Sequence, residues 1–391
     1  MPDVKQKVLI VHNYYQIPGG EDTVVANEKK LLEDYGHEVV LYTRHNAELK
    51  SLSKIKKLLL PISTIFNFRT YKEVKKLIRT EKIDVVHVHN TLNLVSPSVY
   101  YAAFSCHVPV VQTIHNFRLL CPGATFYRDG HICEDCVSNG LMCAVKHKCY
   151  RGSRLQTLAC VVSTWIHRCL GTYGKLNYIC LTEFNKEKLL NLKQIKENQV
   201  YVKPNFAETV ERILPDKERK RQIVFAGRLD ELKGIDVLLK AWKQMKAGNL
   251  KLIICGTGPL EQWCKDFIKE NQLKNVEMKG FVDNKTVKQI IGESAALILP
   301  TQWYEGFPMT ILEAYSTGTP VLGSAMGNVG NLVKENVNGM HFDPQSQEEL
   351  IFAIKNLKVD YEGVSEYFKK FYSREANYKM LHSIYHEAMQ Q

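Results

Sequence analysis

Short apolar runs with strand character alternate with stretches of helical spacing along the whole chain, and that alternation restricts it to a doubly wound α/β architecture. Lys7 to Val11 reads as the first strand. A loop from Asn13 to Asp22 follows, then a helix from about Thr23 to Tyr35 closed by Gly36, and His37 to Tyr42 opens the next strand. Asp84 to Val88, Val108 to Thr113 and Tyr178 to Leu181 read as buried strands of the first half. Ile223 to Ala226, Leu250 to Cys255, Val276 to Gly280, Ala295 to Leu299 and Val321 to Gly323 supply the second. A chain of 391 residues exceeds one ordinary core, so the strands divide between two sheets. Lys203 to Asn205 (KPN) marks the start of a linker, and the charged tract Pro215 to Arg221 leads into the second half.

The chemistry is densest from Gln302 to Val321, QWYEGFPMTILEAYSTGTPV, where Glu305 and Glu313 stand eight positions apart around a Gly-Phe-Pro turn. Pro300 stops the strand before it. A helix is expected just after Pro308, whose fixed φ suits a first helical position. Glu305 then lies in the loop, while Glu313, about one turn into the helix, points back towards it. The free amides of the helix N-terminus complete a site for phosphate or hydroxyl oxygens. Two carboxylates at different depths can accept hydrogen bonds from a sugar and a ribose, and the amides of Gly306 and Phe307 can meet sugar hydroxyls. Arg228 and Lys233, in the loop between Ile223 to Ala226 and a helix beginning near Gly234, can neutralise a departing diphosphate. Gly256, Gly258 and Pro259 occupy a second strand-to-helix turn and would border the nucleotide base. Gly19 and Gly20 follow the first strand, where small residues let backbone approach a phosphate or an acceptor; a Gly-Gly pair is also often only a turn.

The segments FAGRLDELKGIDVLLKA (Phe225 to Ala241), CGTGPL (Cys255 to Leu260) and IPGGE (Ile17 to Glu21), with the two glutamates, resemble those of retaining glycosyltransferases of family 4, and the resemblance covers essentially the whole chain. It implies the GT-B fold, with two Rossmann-like doubly wound domains facing across a cleft and a C-terminal helix crossing back to the first. The corresponding boundaries are 1–205 for an acceptor-binding domain, 206–372 for a nucleotide-sugar-binding domain and 373–391 for the returning helix. By the same resemblance His115, in TIHNFRLLCPG, contacts the donor sugar near the anomeric centre. His87 and His89, near the end of another strand, are read as cleft-wall residues. The implied activity is transfer of a hexose from a nucleoside-diphosphate sugar to a polysaccharide or lipid-linked oligosaccharide, as in capsule, exopolysaccharide or O-antigen synthesis. The family pattern offers no convincing protein nucleophile, so a front-face substitution is expected, with the leaving phosphate oxygen helping to deprotonate the acceptor. No Asp-x-Asp motif precedes the site, so no cofactor is required for catalysis and two cations take a metal's place. A sugar-nucleotide epimerase of the same fold, or a non-catalytic nucleotide-sugar-binding partner in an assembly complex, is the alternative.

Charge is uneven. Through Lys203 there are 28 Lys and Arg against 17 Asp and Glu, an excess of 11, whereas the remainder has 24 of each. Lys50 to Lys82 has ten basic and two acidic residues interleaved with Leu58, Leu59, Leu60, Ile62, Ile65, Phe66 and Phe68. That pattern suits an amphipathic surface on an anionic membrane; a solvated helix face with its apolar side in the core is the plainer reading. Nucleic acid is the rival partner, and no recognised nucleic-acid module accompanies the lysines. No run of about 20 apolar residues spans a bilayer, and the N-terminus carries no secretory pattern, so the expected location is the cytoplasm, peripheral on the inner face of the membrane. Cys133, Cys136, Cys143 and Cys149, in an insertion at about 121–150, have a spacing compatible with a structural zinc site, with Cys121, His131 and His147 as alternates; free thiols or packing are the other readings. Arg151 to Leu170 reads as a helix with Leu155, Leu158, Val162, Trp165 and Ile166 on one side, expected to face the core.

Overall fold

A computed structural model describes residues 5–16, 19–51, 53, 55 and 59–390. Ile17 and Pro18 of the glycine loop, and Lys54, Lys56, Lys57 and Leu58 of the basic segment, lie outside the described residues. The chain forms two compact units, one comprising 1–129, 133–203 and 378–391, the other 130–132 and 204–377.

The first unit holds a parallel sheet of β1 (Lys7–Tyr14), β2 (Glu38–His45), β3 (Val85–Asn90), β4 (Val110–Ile114), β5 (Asn177–Cys180) and β6 (Val200–Val202), in the order β2-β1-β3-β4-β5-β6. Its central strands are apolar without alternation because helices cover both faces: Val8, Leu9, Ile10 and Val11 are all fully buried. On one face Val8, Ile10, Val85, Val111 and Ile179 pack with Leu381, Ile384, Tyr385 and Ala388 of the final helix, Arg374–Gln390. The helix after β1 runs from Gly20 to Asp34, starting three residues earlier than the sequence suggests. Gly19 caps it, and the Asp22 carboxylate accepts from the Gly19 amide at 3.0 Å.

The second unit repeats the architecture with β7 (Lys220–Ala226), β8 (Lys251–Cys255), β9 (Val276–Gly280), β10 (Ser294–Leu299), β11 (Val321–Ser324) and β12 (Gly339–Phe342), in the order β9-β8-β7-β10-β11-β12, all parallel. Alternate residues feed two cores. Ile223, Phe225, Leu252, Ile254 and Ile298 enter one; Val224, Ala226, Ile253, Leu297 and Leu299 enter the other. The short edge strands β6 and β12 were not expected from sequence. In both sheets the strand order reverses beside the first strand of the unit, between β1 and β3 and between β7 and β10. Ligands of open α/β sheets bind at the carboxyl ends of strands flanking such reversals.

Two expectations need correction. The helix Arg154–Cys169 does not turn its apolar stripe into the core: it buries Thr157, Cys160, Val161, Ser163, Thr164 and His167 and exposes Leu155, Leu158 and Trp165. Hydrogen bonds near and far in sequence hold it so, since Thr157 Oγ1 donates to Ser153 O and His167 Nε2 to Ile65 O. His87 is not a wall residue either, because it is fully buried inside β3 and bonded on both ring nitrogens.

Candidate functional site

In the second unit, the loops after β7 and β10 meet at the reversal point. The Gln302 amide donates to Leu232 O at 2.8 Å, and Thr301 Oγ1 donates to the same oxygen at 3.1 Å. This pinning brings Lys233 to Glu305, with Nζ 2.7 Å from Oε2. Glu305 is 4 % exposed, and among the described residues its Oε1 has no hydrogen-bond partner. Such an acceptor is costly to bury unmet, and a donor from a ligand would satisfy it. The Asn328 amide holds the loop from behind by donating to the carbonyls of Glu305 and Gly306, the latter at 2.6 Å. Arg228 is largely exposed, its Nε 3.3 Å from Asp230 Oδ2, and the Asp230 carboxylate caps the turn by accepting from the Lys233 amide. Both expected cations therefore stand on one loop.

Pro308 caps the helix Met309–Ser316, leaving Glu305, Gly306 and Phe307 in the loop before it as expected; Phe307 is half-buried against the core. Glu313, on that helix, has its carboxyl pushed above the ordinary range by burial, with the Lys288 ammonium acting against the shift. Its electrostatic partner is thus on the helix Asn284–Gly292 rather than in the Lys233 pair. The turn bearing Gly256, Gly258 and Pro259 is wedged against the Arg228 loop. Gly256 has φ +141°, and a Cβ there would lie 1.8 Å from Gly227 O; one at Gly258 would lie 2.4 Å from Leu229 O. These glycines are required by backbone-to-backbone contact.

In the first unit the reversal point holds a buried polar chain. Lys203 Nζ donates to Glu28 Oε1 at 2.6 Å, and Glu28 Oε2 lies 3.3 Å from His89 Nε2. His89 Nδ1 and His115 Nε2 are 2.9 Å apart, while His87 bonds Tyr385 and Thr113. Burial opposes ionisation of Glu28, yet the Lys203 ammonium holds its carboxyl below the ordinary range. Burial pushes His115 down to about 3, so it is a neutral imidazole. His115 follows β4 and lines a pocket with His89, Asn116 and Arg118. Gly19 and Gly20 differ from the glycines of the second unit: a Cβ at either would meet nothing within 4 Å.

The family model for glycosyl transferases group 1 matches residues 206–373, and that for glycosyltransferase family 4 matches 18–211. This chain belongs to glycosyltransferase family 4. The glycosyltransferase is 30% identical over 150 residues to the putative colanic acid biosynthesis glycosyltransferase WcaL of Escherichia coli, covering 36% of this chain and 37% of that one. Its GT-B fold is shared with the lipopolysaccharide outer core galactosyltransferase WaaB (TM-score 0.68, 18% identity, 98% of this chain and 99% of the other). It is shared also with HepE of Anabaena in complex with UDP and glucose (TM-score 0.62, 16% identity, 97% and 99%).

Within the glycosyltransferase, no three of Cys133, Cys136, Cys143 and Cys149 bring their sulfurs within 4.8 Å of one another, although Cys121, Cys143 and Cys149 lie near enough to Cys136 to act on its thiol. Among the described residues the group of three whose ligand atoms lie within 4.8 Å of one another is Glu28, His87 and His89. Cys136 instead packs with Leu141, Ala144 and Val161, flanked by Cys143 and Cys149, and burial pushes its thiol up to about 12. In that group Lys203 meets Glu28 Oε1, and Tyr385 and Thr113 meet the two nitrogens of His87, while Glu28 Oε2 and His89 Nε2 face each other at 3.3 Å with no hydrogen-bond partner among the described residues; the Lys203 ammonium supplies the charge that a cation would bring. Sequence reasoning missed Glu28 and Lys203. The available signal was a carboxylate on the apolar stripe of a helix, with Val24 four residues before it and Leu31 three after.

Proposed function

We propose that this glycosyltransferase is a retaining hexosyltransferase that moves a sugar from a nucleoside diphosphate onto a cell-surface polysaccharide or its lipid-linked precursor. The observation carrying this is the Lys233–Glu305 pair at the reversal point of the second sheet, with one carboxylate oxygen left unmet. A buried carboxylate with a spare acceptor fits a sugar hydroxyl, and its paired ammonium, with Arg228 on the same loop, fits a diphosphate. As the bond from anomeric carbon to phosphate oxygen breaks, the electron pair stays on the diphosphate and the two cations stabilise it. The acceptor oxygen bonds to the same face of that carbon and passes its proton to the leaving phosphate oxygen. The neighbour HepE, whose complex contains UDP and glucose, supports a nucleoside-diphosphate sugar as donor, and WcaL supports polysaccharide assembly.

In this reading Gly306 and Phe307 offer amides to the sugar, Glu313 meets the ribose, and Gly256, Gly258 and Pro259 border the base. On the acceptor side His115 acts as a neutral hydrogen-bonding group, and Gly19 and Gly20 give the substrate close access to backbone. The acceptor is taken from the cytoplasmic face of an anionic membrane, reached through the basic segment 50–82. No nucleic acid takes part. Among the described residues no helix is long and apolar enough to cross a membrane.

The test is a hydrolysis and binding screen of the purified protein against a panel of nucleoside-diphosphate sugars, with and without chelator. Slow release of one nucleoside diphosphate, unaffected by chelator and lost in Lys233→Ala, is expected. Binding without release, even with membrane lipid acceptors present, would replace the transferase by a scaffold.

A further inference from the structure

The helix Arg154–Cys169 is amphipathic in the wrong sense for a globular core. Its inner side carries Thr157, Ser163, Thr164 and His167, and its outer side carries Leu155, Leu158, Val162 and Trp165 at spacings of three and four residues. Leu155 is 80% exposed and Trp165 59%. The inner polar groups are satisfied: Ser163 Oγ donates to Thr64 O at 3.3 Å, His167 Nε2 donates to Ile65 O at 3.0 Å, and Tyr101 OH lies 3.1 Å from His167 Nδ1. The orientation is therefore specified, and the outward apolar stripe is its consequence.

The same bonds tie this helix to Leu60–Ile65, which runs beside it in the same direction and behaves alike. Ile62 is 63% exposed and Leu59, just before it, 50%. Each large apolar side chain left in water forgoes about 1.5–3 kcal/mol of burial, so an apolar face shared by two helices calls for a covering.

Charge identifies the covering. From Val137 to Thr182 the chain has no Asp or Glu but six Lys and Arg, and from Lys50 to Lys72 it again has six basic and no acidic residues. Among the described residues Lys50, Lys72, Arg151 and Arg154 are exposed. Apolar stripes with a tryptophan, bordered by cations and free of acids, match an anionic lipid surface, where apolar side chains sink below the head groups and cations meet phosphates. A groove lined by Leu60, Pro61, Leu155 and Ala159 opens between these helices, and it shares Thr64 and Cys160 with the pocket that His115 lines.

We propose that the paired helices Leu60–Ile65 and Arg154–Cys169 form the face by which this protein docks on an anionic lipid bilayer, with Ile62, Leu158 and Trp165 inserted. The inference rests on the proposed function only in its choice of a membrane as the place where the acceptor is met. It adds a helix to the contact, and it gives a lipid-borne acceptor a route to His115 from the bilayer side.

The full-length protein would be co-sedimented with vesicles of phosphatidylcholine alone and with phosphatidylglycerol added, across a salt series. Expected is binding to the anionic vesicles only, weakened by salt, and weakened at least tenfold by Ile62→Ser with Trp165→Ser. The double variant should keep the melting temperature and the donor hydrolysis of the parent. Brominated phosphatidylglycerol should quench the intrinsic fluorescence of the parent and leave that of Trp165→Phe nearly unquenched. Anionic-vesicle binding that is absent, or that survives the double substitution unchanged, overturns the proposal. So does a dimer in sedimentation velocity that the double substitution dissolves, since the face would then belong to a second copy. Vesicle binding by a protein that hydrolyses no nucleotide sugar would sustain the docking face while removing the proposed function.

Discussion

The two sheets carry polar clusters at equivalent places, at the carboxyl ends of the strands beside each reversal, but the clusters are built in opposite ways. In the first unit the charges are sealed from solvent, with Lys203, Glu28 and His87 fully buried and Glu28 Oε2, itself without a hydrogen-bond partner among the described residues, enclosed by the fold, while a Cβ at Gly19 or Gly20 would meet nothing within 4 Å. In the second unit Lys233 is 25% exposed and Glu305 keeps an unmet oxygen, while Gly256 and Gly258 are wedged against backbone. The comparison separates glycines that the fold requires from glycines that only a ligand could require. It also separates charges that hold structure from charges left available to a substrate.

The sharpest way to break the comparison is at the half-open pair. Lys233→Ala should lower kcat/KM for the nucleotide sugar by roughly 10²- to 10³-fold and leave a buried carboxylate alone, at a stability cost of about 3 kcal/mol. Adding Glu305→Gln should recover most of the stability and none of the turnover. Steady-state kinetics with chemical denaturation measures both; a single variant as stable as the parent would mean that the pair does not need its partner. Gly256→Ala should cost about 3 kcal/mol through collision and an unfavourable φ. Gly20→Ala, in a helix first turn with open space around it, should hold or raise stability by up to about 1 kcal/mol while raising the acceptor KM. Equal melting shifts for the two alanines would erase the distinction.

Titration sharpens the contrast within the first unit. Burial raises Glu21 from 4.5 to about 7, with the Tyr15 hydroxyl bonded to its carboxylate at 2.9 Å acting against the shift. The folded state therefore binds that proton more tightly than the unfolded state, a contribution fully present below about pH 4.5 and lost as pH rises through about 7. Glu21→Gln should match the parent at pH 4 and exceed it by roughly 3 kcal/mol at pH 8. The smallest effect concerns His115. Because its folded value of about 3 lies below that of a free imidazole, it stays neutral over the working range. The activity ratio of parent to His115→Asn should not change between pH 5.5 and 8; a step near 6.5 would place the imidazole in water.

Much of the fold was legible because the inner strands are covered on both faces and so read as unbroken apolar runs, as in Val8 to Val11 and Ala295 to Leu299. The edge strands Val200–Val202 and Gly339–Phe342 escaped, being three and four residues long with half-exposed Tyr201, Met340 and His341. Periodicity revealed the stripe on Arg154–Cys169 but not which side of the helix faces inward, since that depends on hydrogen bonds to Thr64 and Ile65, about a hundred positions away. Lys233 and Glu305 could be singled out because each stands in a loop directly after a strand. The pairing of Glu28 with Lys203 spans 175 positions and leaves no local trace.

The wedge of Gly256 and Gly258 against the Arg228 loop also limits how this enzyme can diversify. The Leu229 amide donates to Thr257 O at 3.0 Å, the Leu260 amide returns to Leu229 O at 2.9 Å, and a side chain at either glycine would strike the opposite loop. The two segments form one interlocked part that must be inherited or exchanged together. A chimera that imports 256–260 from a relative while retaining 227–234 would join surfaces shaped for different partners, whereas one that imports both as a cassette carries its own fit with it.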